Sequence, residues 1–274
     1  MEYERIMITG ASSGLGEAFA RTLAGSKPRE MVLIARRRER LEALAGELRT
    51  LHPELVVQVA PCDLASPAAR AELLEQWSAL PPARTLLINN AGLGDYGDFA
   101  SSDPTKTNSL LQVNMLAVVE LTRALLPQML RCGGSIINIA SLAADLPLPD
   151  FALYAASKSF VASFSEGLRL ELRGSGVRVL AVCPGPVHTE FGSVAQRPGL
   201  SKGSIPLKKF FYTSIPQVVQ STLRALAAGR ARCYPGGKIW LSGCLLRLMP
   251  LWLLRRILST RPRRVAPIPT DPQA

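Results

Sequence analysis

A regular alternation constrains this chain more than any other feature. Short apolar runs, each followed by a stretch of helical periodicity, repeat from residue 5 to residue 183 with no linker between them. The runs RIMIT (5–9), EMVLIA (30–35), LVVQVA (55–60), TLLIN (85–89), SIINIA (135–140) and VRVLAVC (177–183) are rich in Val, Ile and Leu. They read as strands buried on both faces. Residues 15–24, 38–50, 67–80, 103–132 and 150–174 read as the helices between them. In 38–50, Leu41, Leu44 and Leu48 share one face and charged residues take the other. Strand and helix in strict alternation require a parallel sheet covered on both sides, so the expected fold class is α/β, one doubly wound parallel sheet. Past Pro184 the pattern loosens into a Pro/Gly/Lys-rich stretch, 192–211, that reads as a lid. A helix at 215–228 and a short strand near 232–234 would finish the sheet.

With 274 residues, 47% of them hydrophobic, the chain is long and apolar enough for a sizeable core, which excludes a mainly disordered protein. Its five cysteines form no CxxC pair, which argues against a disulfide framework or a zinc site and suits a reducing compartment. Two histidines, His52 and His188, leave little for a metal site or a His-based triad. The first residues lack the basic and apolar regions of a secretory signal, and no run of about 20 uninterrupted apolar residues exists. A cytoplasmic chain without a membrane span and without a bound metal is therefore expected. The formal charge of +11 is unevenly spread. Residues 1–190 hold 18 basic and 20 acidic side chains, whereas 191–274 hold 14 basic ones and a single acid, Asp271. Basic residues that follow a neutral body, with no recognisable nucleic-acid module, point to a membrane surface or an acidic substrate, or simply to a solvated face.

The first strand runs into the first helix through Thr9-Gly10-Ala-Ser12-Ser13-Gly14-Leu15-Gly16. Gly10 permits a tight turn, Gly14 lets the backbone approach a pyrophosphate, and Gly16 allows close helix–sheet packing. The helix N-terminus then faces the phosphates. Placed between a clear strand and a clear helix, the loop makes the sheet Rossmann-type and implies a dinucleotide. The end of the second strand selects the cofactor. An acid there would bond the ribose 2′-hydroxyl of NAD, but this chain has Ala35 followed by Arg36, Arg37 and Arg38. A guanidinium suits a 2′-phosphate, so NADP(H) is expected, with Arg36 and Arg37 at the phosphate.

TGASSGLG (9–16), Asp63, NNAG (89–92), Asn114, Ser141, Tyr154-Ala-Ala-Ser-Lys158 and PGPVHTE (184–190) occur in an order and spacing that resemble the single-domain branch of the short-chain dehydrogenase/reductase family. The resemblance covers about residues 5–190. The chemistry also follows from the residues themselves. Carbonyl reduction needs a hydride and a proton donor to the developing alkoxide. Tyr154 can be that donor if its pKa falls from about 10. Lys158, one helical turn later, can stabilise the phenolate. Ser141, at the end of the fifth strand, can hydrogen-bond the carbonyl, and Asn114, a poor helix former inside a long helix, can hold a relaying water. The family assigns these four residues the same roles. By resemblance, Asp63 and Leu64 flank the adenine, Asn90, Ala91 and Gly92 line the ribose side, and Pro184, Gly185, Val187 and Thr189 border the nicotinamide. Tyr154 and Lys158 also touch the cofactor. His188 falls in this motif as a lid or substrate contact, and His52 reads as solvated.

An NADP-dependent reductase of a small ketone or aldehyde is the leading reading, and the mixture of aromatics and lysines in 191–214 points to an acyl or lipid-like one. An idle dinucleotide-binding sensor or scaffold and an NAD-dependent alcohol dehydrogenase are the alternatives. The intact catalytic set disfavours the first and Arg36 the second. The division expected is 1–238 for the dinucleotide-binding and catalytic domain and 239–274 for an amphipathic, basic extension. The family's common tetramer usually ends on a shorter tail, so a homodimer through the helices at 103–132 and 150–174 is expected instead. The stretch 239–258 is apolar but broken by Arg247 and Pro250. Pro250 can start a helix with Leu251, Leu254, Ile257 and Leu258 on one side, Arg255, Ser259 and Thr260 on the other, and Trp252 near the boundary. Such a helix, followed by Arg261, Arg263 and Arg264, suits the interface of an anionic membrane. The same leucines packed on the protein itself is the competing expectation.

Overall fold

The computed structural model describes residues 2–197 and 212–259. Most of the expected lid, with Lys202, Lys208, Lys209, Phe210 and Phe211, lies outside the described residues, as do Thr260, Arg261, Arg263 and Arg264. Seven parallel strands form one sheet in the order β3-β2-β1-β4-β5-β6-β7, with β1 Arg5–Thr9, β2 Glu30–Ala35, β3 Val56–Pro61, β4 Thr85–Asn89, β5 Gly134–Ile139, β6 Val177–Val182 and β7 Arg232–Cys233. Helices α1 (Gly14–Ala24), α2 (Arg38–Leu51), α3 (Pro67–Ser78), α4 (Pro104–Leu111), α5 (Ala117–Cys132) and α6 (Ala152–Glu171) alternate with them, and α7 (Glu190–Ala195) and α8 (Ile215–Ala227) follow β6.

Strand periodicity divides the core in two. Ile6, Ile8, Leu86, Ile88, Leu180 and Val182 pack with α1, α2 and α8 on one face. Met7, Leu87, Ile136 and Val179 pack with α3, α5 and α6 on the other. Successive residues point to opposite faces, and both faces are dry, which is why these strands carry no polar alternation. The chain leaves β1 toward β2 on one side and returns to β4 on the other. That reversal opens a crevice at the carboxyl ends of β1 and β4, where doubly wound sheets place their ligands.

Two elements differ from the sequence reading. The expected helix at 103–132 is two α-helices joined by a π-helical turn, Gln112–Leu116, that contains Asn114. The tail forms α9 (Gly237–Leu248) and, after Pro250, α10 (Leu251–Ser259), bent 111° from one another. Leu254 is buried rather than turned outward with Leu251 and Ile257. Ile239, Gly243 and Leu254 hold the tail to the body. Gly243 lies so near the Tyr234 ring that a Cβ there would collide with it. Tyr234 in turn donates to Asp145 Oδ2 (2.7 Å), and Arg232 pairs with Asp145 and Glu166. Trp240, Leu241, Leu245, Leu248, Leu251, Trp252 and Ile257 remain exposed, Leu248 by 81%.

Candidate active site

Loops from β1, β4, β5 and β6 converge at the crevice. Gly10 (φ +66°) and Gly14 (φ +60°) take backbone conformations that side chains disfavour, and both sit against neighbouring chain. A Cβ on Gly10 would lie 2.8 Å from Asn90 Nδ2, and one on Gly14 would lie 3.1 Å from the Thr189 methyl. The glycine loop and the segment after β6 thus face each other across a slot that a side chain would fill. Asn90 ties the loop to β4: its Nδ2 donates to Thr9 O (2.9 Å), while its backbone N–H and that of Ala91 donate to Thr9 Oγ1. The Asp63 carboxylate accepts from the Ala65 N–H at 3.0 Å, which fixes the turn after β3. Leu64 is buried beside it.

The basic end of β2 resolves into unequal arginines. Arg37 is the one directed at the glycine loop. Its Nη2 donates to Ser13 Oγ (2.8 Å) and Ser12 Oγ (3.1 Å), and its Nε donates to Ser12 Oγ (3.2 Å). Arg36 is exposed.

At the other end of the crevice the site is buried. Ser141 follows β5 and caps a short 3-10 turn, its Oγ accepting from Ala143 N–H at 3.1 Å. The Ser141 hydroxyl hydrogen-bonds the phenol of Tyr154, which stands near the start of α6. One turn on, Lys158 Nζ donates to Ile139 O at 2.9 Å and lies 5.8 Å from the Tyr154 ring centroid. Gly92 leaves space above Lys158 and Asn114: a Cβ there would be 3.3 Å from Lys158 Nζ and 3.5 Å from Asn114 Oδ1. Asn114 is fully buried. Its Oδ1 accepts from Leu93 N–H (2.8 Å), and its Nδ2 donates to Leu93 O (2.9 Å) and Ser157 Oγ (2.9 Å). The Ser157 hydroxyl donates to Tyr154 O at 2.7 Å. The side chain of Asn114 therefore locks the β4 loop to α6, and the π turn is what aims it there.

Burial governs the titration of this pair. It pushes the Tyr154 phenol up to about 12 against the pull of the Ser141 hydrogen bond, and it brings the Lys158 ammonium down to about 8. The sequence reading required a lowered phenol. The protein groups alone move it the opposite way, because Tyr154 is only 8% exposed and apolar rings surround it. Phe151 stacks on Tyr154 at 4.3 Å between centroids, and Phe191 of α7 lies at 5.4 Å. Leu148 and Leu153 extend the same apolar wall.

Sequence reasoning passed over Ser157, Phe151 and Phe191. The first two stand three residues either side of Tyr154 on α6 or its cap, a helical spacing that could have marked them. His188 stacks on Tyr212 at 4.0 Å. Pro184 O accepts from Leu142 N–H, and Thr189 caps α7 through Phe191 N–H, so the 184–189 segment is fixed from both sides.

Residues 4–198 match the short chain dehydrogenase family. The chain is a short-chain dehydrogenase/reductase. Members of this family bind nicotinamide dinucleotides, and the cradle of Gly10, Gly14 and Gly92 fits such a group. This short-chain dehydrogenase is 40% identical to a sulfoacetaldehyde reductase of Chromohalobacter salexigens over 191 residues, 68% of the chain and 73% of that protein. It is 31% identical to dehydrogenase/reductase SDR family member 7B of Bos taurus over 269 residues, 94% of the chain and 81% of that protein. Among solved structures it resembles a short-chain dehydrogenase from Sphingobium yanoikuyae in complex with NADPH, with 28% identity, a TM-score of 0.78 and coverage of 96% and 98% of the two chains.

Proposed function

We propose that this oxidoreductase is an NADP(H)-dependent carbonyl reductase in which Tyr154 delivers the proton to the carbonyl oxygen. The observation that carries the reading is the meeting of Ser141, Tyr154 and Lys158 in a dry pocket at the switch point of the sheet. When bound, the nicotinamide supplies the hydride. Ser141 holds the carbonyl oxygen, and Tyr154 protonates it. A phenol held near 12 is protonated in neutral solution yet remains far more acidic than the alcohol being formed, so proton transfer to the developing alkoxide is favourable. Lys158 stabilises the phenolate left after transfer, and Asn114 positions the loop and helix that meet at the pocket.

The phosphate slot is assigned to Gly10–Gly16, with the 2′-phosphate at Arg37, Ser12 and Ser13 and Arg36 contributing charge. Asp63 and Leu64 take the adenine, Asn90, Ala91 and Gly92 the ribose side, and Pro184, Gly185, Val187 and Thr189 the nicotinamide. NADPH and NADP in the solved relatives from Sphingobium yanoikuyae and Burkholderia cenocepacia support the same cofactor. The wall of Phe151, Phe191, Leu148 and Leu153 favours a carbonyl compound with an apolar substituent. A homodimer through α5 and α6 is part of the proposal, with exposed Leu130 and Leu170 at its seam. So is residence in the cytoplasm.

The tail adds a peripheral membrane contact. Its helices carry Lys238, Arg247, Arg255 and Arg256 and no acid, around seven exposed large apolar side chains. Apolar surface rimmed by positive charge suits an anionic lipid interface. The reductase reading is tested by titrating NADPH and NADH calorimetrically, then following reduced-nicotinamide absorbance with ketones, aldehydes and acyl thioesters. Tight NADPH binding with turnover of an apolar carbonyl is expected. NADH preference, or binding without turnover across the panel, would contradict it.

A further inference from the structure

The 2′-phosphate pocket already holds an anion, and the protein itself provides it. Glu190, the first residue of α7, places Oε2 2.7 Å from Arg37 Nη1 and Oε1 2.7 Å from Arg40 Nη1. The same Arg37 spends Nε and Nη2 on Ser12 and Ser13. Two guanidinium groups around one carboxylate, one of them braced by two serine hydroxyls, make an oxyanion site. The two arginines hold the Glu190 carboxyl down to about 2, so it is fully charged in neutral solution. The carboxylate occupies Arg37 Nη1 while Nε and Nη2 are taken by the serines, and a phosphate brought to the same guanidinium would meet the repulsion of that carboxylate.

We infer that Glu190 competes with the cofactor's 2′-phosphate for Arg37, making α7 a cofactor-sensitive latch. This deepens the NADP(H) reading and rests on it. A 2′-phosphate that takes Arg37 leaves Glu190 with Arg40 alone. A 2′-hydroxyl carries no charge with which to displace it, so NADH leaves the latch closed. The exchange reaches the catalytic end through α7. Phe191, next to Glu190, covers Tyr154, and Thr189, on its other side, faces Gly14 across the slot. The far end of the segment is held separately, by Arg197 on Asp95 at 2.6 Å. Loss of the Arg37 pair therefore loosens the start of α7, which then rests on Arg40 and the Thr189 cap, while its end stays anchored, and Phe191 gains room to move from the phenol.

The test uses 2′,5′-ADP and 5′-ADP, which differ at the 2′-position, with the full-length protein, E190Q and E190D. Calorimetry is expected to give 2′,5′-ADP binding about tenfold tighter in E190Q than in wild type, with 5′-ADP altered less than about twofold, because only the former meets the unmasked guanidinium. E190D, whose carboxylate is one methylene shorter, should fall between. In wild type, 2′,5′-ADP should speed amide hydrogen exchange over 190–195 and 5′-ADP should not, whereas E190Q should exchange rapidly without either. Weaker binding of both nucleotides in E190Q, or protection of 190–195 by 2′,5′-ADP, would overturn the proposal, because Glu190 would then be closing over the bound nucleotide. Wild-type binding of 2′,5′-ADP that E190Q leaves unchanged would remove the latch and spare the cofactor reading. Failure of wild type to bind 2′,5′-ADP at all would remove both.

Discussion

The two ends of the dinucleotide crevice are built on opposite principles. At the Tyr154 end Tyr154, Lys158 and Asn114 are buried, Lys158 and Asn114 are tied to backbone groups, and desolvation moves the pKa values of Tyr154 and Lys158. At the adenosine end Arg37, Arg40 and Glu190 stand partly in solvent, held by one another across 153 residues of sequence. Burial makes the first end a place for chemistry, where a proton can be kept or given without competition from water. Exposure makes the second a place for choice, where charges exchange partners at modest cost and the outcome depends on salt. Changes at the first end should therefore destroy rate, and changes at the second should redirect preference.

The largest of the graded effects is expected from Lys158→Met, which removes the group that stabilises the phenolate. Turnover with NADPH should fall about 10³-fold, in the range for loss of assisted proton transfer, while the protein stays folded by circular dichroism. Next, Arg37→Asp should shift the ratio of NADPH to NADH binding by about 100-fold toward NADH, with kcat on the better cofactor nearly preserved. Loss of kcat without a change of preference would break the contrast between the ends.

A smaller effect lies in stability. Lys158 is depressed by burial from 10.5 to about 8, so between those values the unfolded chain binds the extra proton and folding is favoured as pH rises. The advantage of Lys158→Met over wild type in denaturant midpoint should be constant below pH 8 and shrink above it, by at most about 1.4 kcal/mol per pH unit. The raised phenol and the raised Cys183 thiol act in the opposite sense at higher pH, which is why the difference between the two proteins is the quantity to follow. The smallest effect on catalysis comes from the tail. Leu248→Asp with Trp252→Asp should lower sedimentation with anionic vesicles by tenfold or more, as expected for two lost apolar anchors of about 1.5–3 kcal/mol each, and leave kcat unchanged.

The strands, their parallel arrangement and the meeting of Ser141, Tyr154 and Lys158 were legible because each depends on local pattern: two-sided apolar runs, a glycine loop between strand and helix, a Tyr and a Lys one turn apart. The π turn at Gln112–Leu116 was hidden, since a shift from i→i+4 to i→i+5 bonding leaves no trace in hydropathy. Which of three consecutive arginines faces the loop is decided by how the chain leaves Ala35, so Arg36 and Arg37 read alike in sequence. Glu190 carried no signal at all, because its partners come from the other half of the chain. Leu254 was left between membrane and protein because helical periodicity marks a face but not what covers it. The body supplies that cover, fully for Leu254 and partly for Leu253 and Leu258.

Tyr154 is proposed to give the proton from a site whose cofactor grip is built elsewhere. Tyr154→Phe separates the two directly: calorimetric NADPH affinity and the single-turnover rate of carbonyl reduction, measured on the same preparation. The account predicts affinity within about threefold of wild type and a reduction rate lower by about 10³-fold or more, since the ring stays and the donor goes. A variant that binds NADPH normally and still reduces its carbonyl substrate at near wild-type rate would contradict it.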